Sequence, residues 1–155
     1  MIEVEVTEPA WAAVTARVEA LVAAAAEAAL GAVELNFEPQ IAVLLTDDQA
    51  VADLNARFRN RPGPTNVLSF PAAEGAGDHL GDIALAYGVC AAEAQAQGKP
   101  FADHLQHLVA HGVLHLVGYD HATDAEAEDM EGLERMILAG LGVPDPYAAE
   151  RGDNG

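Results

Sequence analysis

His111-Gly112-Val113-Leu114-His115 places two imidazoles four residues apart, and His121 follows six residues later. On a helix that spacing puts both rings on one face, about 5–6 Å apart at Cβ, close enough to share one metal ion. Gly118 supplies the residue that ends such a helix, because glycine takes the left-handed conformation a C-terminal turn needs. The chain then swings back through Tyr119 and Asp120 and delivers His121. Three imidazoles with a fourth position open form the donor set of a catalytic zinc site, since a structural site closes with a fourth ligand. We therefore expect one zinc ion per chain, held by His111, His115 and His121 at the end of a helix. Three histidines also suit nickel, copper or iron.

The spacing equals that of the metzincin proteases, H-E-x-x-H-x-x-G-x-x-H, including the glycine. Gly112, however, stands where those enzymes carry the glutamate general base. Without that carboxylate the peptidase mechanism lacks its proton acceptor, so a metallopeptidase is the weakest of the metal-dependent readings.

The elements that must position these residues can be read from periodicity. Residues 2–6 alternate Ile, Glu, Val, Glu, Val, the period of a half-buried strand. Pro9 fits the first turn of a long helix to about residue 30, with Gly31 as its stop. The run 41–45 reads as a second strand, after which Thr46 or Asp47 caps a helix to about Phe58. Pro62, Gly63 and Pro64 make 59–65 a loop. Strands are predicted over 67–70 and 80–86, and helices over 88–97, 100–117 and 124–141. The expected architecture is α/β (or α+β): a small mixed sheet of about four strands covered by helices, forming one domain over 1–147 with a frayed tail at 148–155.

Apolar residues make up 51% of the 155-residue chain, enough for a packed core and too many for disorder. A lone cysteine, Cys90, rules out a disulfide framework within the chain and fits a reducing compartment. The acidic, alternating start is unlike a secretory signal, and the apolar stretch 10–33 is interrupted by Arg17, Glu19 and Glu27. A soluble cytoplasmic protein without membrane attachment is expected. Seven Lys and Arg against 25 Asp and Glu give a net charge of −18, which repels phosphate at long range. Three of the seven cations nevertheless cluster at Arg57, Arg59 and Arg61, a local basic spot on an acidic body.

The segment from His107 to His121, H-L-V-A-H-G-V-L-H-L-V-G-Y-D-H, looks like the signature of the YbeY family of bacterial endoribonucleases and rRNA maturation factors. Leu54-Asn55-Ala56-Arg57-Phe58-Arg59, followed by Pro64-Thr65-Asn66-Val67-Leu68-Ser69-Phe70-Pro71, resembles that family's "LN…R…PTDVLSFP" block. Leu80-Gly81-Asp82-Ile83 resembles its "GDI" strand, and Met130, Glu131 and Glu134 fit its "Me..E" helix. The match is colinear from about residue 41 to 142, with Asn66 standing where the family pattern has aspartate. The resemblance implies a metal-dependent, single-strand-specific endoribonuclease in 16S rRNA maturation and ribosome quality control. Its partners would be single-stranded RNA and a ribosomal subunit or ribosomal proteins. The family's zinc ligands carry over onto His111, His115 and His121, and its functional arginine onto Arg59.

That arginine also makes sense chemically. Phosphodiester cleavage builds negative charge on equatorial oxygens, and a guanidinium fork suits that charge. His107 and His104, one and two turns upstream on the same stripe, are expected to pack or to support the ligands. Asp120 either accepts a hydrogen bond from a ligand imidazole or caps the turn, and Asp82 reads as a structural residue of its strand. Cys90 reads as a buried apolar residue. The acidic run 124–134 reads as a solvated helix face. An alternative function is a ribosome-assembly binding factor, in which the metal is a staple and the acidic surface docks basic ribosomal proteins.

Overall fold

Two N-terminal side-chain caps start the helices that carry Arg59 and Glu134. Asp47 accepts a hydrogen bond from Ala50 N at 2.7 Å, and Thr123 forms a reciprocal capping box with Glu126, at 3.1 and 3.2 Å. The computed structural model describes residues 2–147 apart from 15, 16, 34, 36, 61, 62, 74, 76 and 121. Among these run β1 (Ile2–Val6), α1 (Ala10–Val14), α2 (Val18–Gly31), β2 (Gln40–Thr46), α3 (Asp48–Arg59), β3 (Val67–Pro71), β4 (His79–Ala86), α4 (Tyr87–Gln97), α5 (Phe101–Leu116) and α6 (Asp124–Gly140).

These bounds agree with the predicted elements to within a residue or two, except at the first helix. The single helix expected over 9–30 is instead two, α1 and α2, with Arg17 between them at φ −107°, ψ 20°. Trp11 explains the division. Its fully buried ring meets Tyr87 edge-on at 5.4 Å, and its Nε1 donates to Thr46 O at 2.9 Å. That anchor holds α1 at the end of β2, while α2 packs along β1 and α5. The predicted tail, 148–155, lies outside the described residues.

The four strands described form one sheet in the order β1-β2-β4-β3; β1, β2 and β4 run parallel, and β3 is antiparallel to β4. This is the mixed four-stranded sheet expected. Alternation divides its faces. Val4, Val43 and Ile83 point to the main core shared with α2, α5 and α6. Glu3, Leu44 and Ala84 point the other way. There α3 and Val89 of α4 cover only part of the sheet, through a small second core of Val51, Leu68, Ala84 and Ala86. Glu3, Glu5 and Asp82 stay exposed on this face, and the uncovered part forms a wall of the cleft described below.

At the β3 edge, Ala86 N donates to Asn66 O and Ala72 N to Leu80 O, which sets the phase of the ladder. Val67, Ser69 and Pro71 therefore turn their backbone groups away from β4. Pro71, which has no N–H, falls on an outward position where none is needed. No helix among the described residues is long and apolar enough to cross a membrane.

Candidate active site

Helix α5 buries Leu105, Val109, Val113 and Leu114 against the sheet and its neighbouring helices. One stripe of the helix is left to histidine. His104, His107, His111 and His115 follow one another with ring centroids 6.3, 6.3 and 4.6 Å apart. Side-chain exposure rises along the first three from 4% to 13% to 22%, so the C-terminal end of the stripe is the end that meets solvent. At that end His111 Nε2 and His115 Nε2 lie 3.1 Å apart. Gly118 then turns the chain at φ +106°, and Tyr119 N donates back to Leu114 O at 3.0 Å. The structure thus brings two of the three predicted ligands together and supplies the turn expected after them. His121 lies outside the described residues.

Behind the pair stands Glu134 of α6, fully buried. His111 Nδ1 and His107 Nε2 approach its Oε1 at 2.9 and 3.0 Å, and Tyr147 Oη donates to its Oε2 at 2.8 Å. Burial pushes this carboxyl up, but the hydrogen bonds from His107 and His111 outweigh it and hold the group down at about 2. A carboxylate only accepts, so the facing ring nitrogens carry the protons. The carboxylate thereby places a His111 proton on Nδ1 and leaves Nε2 as the nitrogen that faces His115. Nitrogens sharing a tetrahedral zinc at 2.0–2.1 Å stand about 3.3–3.4 Å apart, so the pair fits such an ion.

Glu134 corrects the expectation of a solvated face over 124–134: that reading fails for its last residue and for buried Met130. His107, expected to pack or to support a ligand, packs against Glu134 at 3.0 Å and also lines the cleft described next. His104 is buried against Glu93 at 2.9 Å; burial lowers its pKa, although Glu93 opposes the shift. Burial, with the charges of Glu93 and Asp48, drives the Cys90 thiol far above its usual range, which removes it as a nucleophile. Asp82 pairs with His79 on its own strand at 3.0 Å, and Asp120 lines the cleft.

Arg59, in the last turn of α3, reaches the edge strand and donates from Nη2 to Ser69 O at 3.1 Å. It lines one cleft of ≈ 1670 Å³ with His111, His115, Asp82, Tyr119 and Asp120. Of the other basic candidates, Arg57 is exposed on the same turn and Arg61 lies outside the described residues. Asn66 finds a partner that aspartate would repel. Its Nδ2 donates to Glu93 Oε1 at 3.0 Å, while its Oδ1 accepts from Val67 N. A carboxylate at 66 would face Glu93 with like charge, so in this chain the amide and Glu93 belong together.

Gly112 has a steric reason. A Cβ there would lie 3.2 Å from both Ile83 Cδ1 and Ser69 Oγ, and Ser69 Oγ donates to Gly112 O at 3.1 Å. The position faces the sheet and not the histidine pair, so a metzincin-type glutamate has no room. Gly112→Glu is expected to lower unfolding free energy by more than about 3 kcal/mol, measured by urea denaturation, because it overpacks the contact and buries an unpaired charge.

A family model described as Endoribonuclease YbeY matches residues 4–142. A protein of that name from Rhodopseudomonas palustris (strain BisB5) is 52% identical, over 94% of this chain and 80% of its own. Another from Maricaulis maris (strain MCS10) is 48% identical over 96% of this chain and 92% of its own. Among solved structures, the solution structure of TM1509 from Thermotoga maritima superposes with a TM-score of 0.62, covering 99% of this chain and 94% of that one. At 24% identity that likeness is one of fold. The chain belongs to the Endoribonuclease YbeY family.

Proposed function

We propose that this protein is a zinc-dependent endoribonuclease of the cytoplasm that cuts single-stranded RNA, acting on 16S rRNA during maturation and quality control of the ribosome. Membership of a family whose members carry the name endoribonuclease supports the reaction class. The observation that carries the metal is the 3.1 Å approach of His111 Nε2 and His115 Nε2 in a cleft shared with Arg59. His121, six residues beyond His115 in the sequence, is the proposed third ligand. A zinc ion bound there supplies Lewis acidity toward a phosphoryl oxygen and water of lowered pKa.

The chain's own residues supply the rest. Glu134 holds the His111 tautomer. Arg59 keeps one N–H on Ser69 O, which orients the guanidinium and leaves its other donors for phosphate oxygens as charge builds on them. The test is cleavage of a single-stranded RNA and of the same sequence as a duplex, with zinc titrated into metal-free protein. Cutting should reach its plateau at about one equivalent and favour the single strand. Zinc-independent cutting, or none, overturns the proposal. Arg59→Ala should lower the cleavage rate about 10²- to 10³-fold with zinc content unchanged, and Arg59→Lys should not restore it, because lysine lacks the fork. Parallel rate and metal measurements check this.

The net charge of −18 favours a second reading, in which the body docks on basic ribosomal proteins. Arg59→Glu separates the two: loss of processing with ribosome association retained identifies the enzyme.

A further inference from the structure

Helix α3 carries an inward stripe at Val51, Leu54, Asn55 and Phe58, the spacing of one helix face. Val51 is fully buried, yet Phe58, at the end of the stripe, is 61% exposed. Its ring lines the cleft that holds His111, His115 and Arg59. Phe70, from the sheet, meets it edge-to-face at 5.8 Å and 71°. The Arg57 guanidinium carbon lies over the Phe58 ring, 6.0 Å from its centroid, so a base stacking on that face would displace it. The other large, exposed apolar side chains among the described residues, Phe37 and Met136, lie outside this cleft.

A solvated phenylalanine held in place by a second ring, with one guanidinium over it and another lining the same cleft, matches the needs of an unpaired base. Bases of single strands stack on aromatic faces, while arginines beside the ring meet the backbone phosphates. The overall charge makes that contribution necessary. A body of −18 gains little affinity from phosphates at long range, and Glu3, Glu5 and Asp82 line the same cleft. A paired base cannot offer its face, because its neighbours in the duplex already cover it.

We infer that Phe58, propped by Phe70, with Arg57 over it and Arg59 in the same cleft, is a platform on which one unpaired RNA base stacks, so that the ring sets the preference for single strands. This rests on the endoribonuclease reading and names a substrate contact of the same cleft. The test is fluorescence anisotropy with a labelled 2′-O-methyl oligoribonucleotide, which resists cleavage, beside the same backbone carrying abasic residues. Phe58→Ala and Phe58→Leu should bind the base-bearing strand roughly 5- to 150-fold more weakly, the range that base–aromatic stacking spans, and Phe58→Trp should bind it as wild type does. All four proteins should bind the abasic backbone alike. Wild-type affinity in Phe58→Leu, or an equal loss on the abasic strand, overturns the platform. If wild type cuts single-stranded RNA while Phe58→Ala binds normally, the platform alone fails. If wild type neither binds nor cuts, the endoribonuclease reading falls with it.

Discussion

His115→Ala should leave the purified protein without its metal: zinc measured by mass spectrometry is expected to drop from about one ion per chain to background, because catalytic zinc sites use three protein ligands and two do not suffice. RNA cleavage with one equivalent of zinc should fall to the level of metal-free wild type. The expectation follows from the orientation of two rings. Glu134 fixes the His111 proton on Nδ1, and His115 Nε2 faces the remaining His111 nitrogen at 3.1 Å. Both ring nitrogens can therefore address one cation once it displaces the proton they share. His115 is half-buried at the open end of the stripe, so removing its ring should cost binding well before it costs folding. Retention of a full equivalent of zinc by His115→Ala would sink the triad and return the metal to the position of an unassigned staple.

The next largest effect is expected from Glu134→Gln. The glutamine amide presents one oxygen where two oxygens now receive His107, His111 and Tyr147. Its NH2 group must face either an imidazole N–H or Tyr147 Oη, whose hydroxyl would have to turn away and accept. Zinc affinity, read by competition with a chromophoric chelator, should fall about 10- to 100-fold, as it does when the carboxylate behind a ligand histidine is lost. Unfolding free energy should fall by about 1–3 kcal/mol for the unpaired buried donor. The same carboxylate gives the metal-free protein a pH dependence. Its folded pKa of about 2 lies below the ordinary 4.5, so the folded state binds the proton less readily than the unfolded one. Its stabilisation is complete above about 4.5 and is lost as pH falls toward 2. In Glu134→Gln that part of the acid transition should disappear. An unchanged acid midpoint in metal-free protein, together with unchanged zinc affinity, would show that Glu134 does neither task.

How much of this could be read from the chain differs from residue to residue, for physical reasons. The His111–His115 pair was legible because a four-residue spacing has one meaning on a helix, and Gly118 marked where the helix must stop. Two strands separated by helix near the start allow a parallel pair, which β1 and β2 form, without dictating it. The place of β4 between β2 and β3 is a long-range pairing that no local pattern encodes. Glu134 was misread because its neighbours are acidic. A sharper signal was available: Met130, Glu134, Ile137 and Leu138 share one helix face, and that face is buried. A carboxylate in a core position needs partners, and His107 and His111, four residues apart on α5, were the partners at hand. Tyr147 and the Asn66–Glu93 contact offered no such signal, since both depend on how distant segments meet.

The phase of β3 carries a consequence for the folded chain's behaviour in concentrated solution. β3 is an outer strand of the sheet, and Val67, Ser69 and Pro71 turn their main-chain groups outward, where a strand from another molecule would pair. Proline withholds one donor from such a partner, and Arg59 occupies the carbonyl of Ser69. The arginine proposed to hold phosphate is thus also a guard against self-association: without it, an acceptor on an unpaired rim is laid bare. Loss of activity in an Arg59 variant has its chemical meaning only in a preparation that has stayed monodisperse.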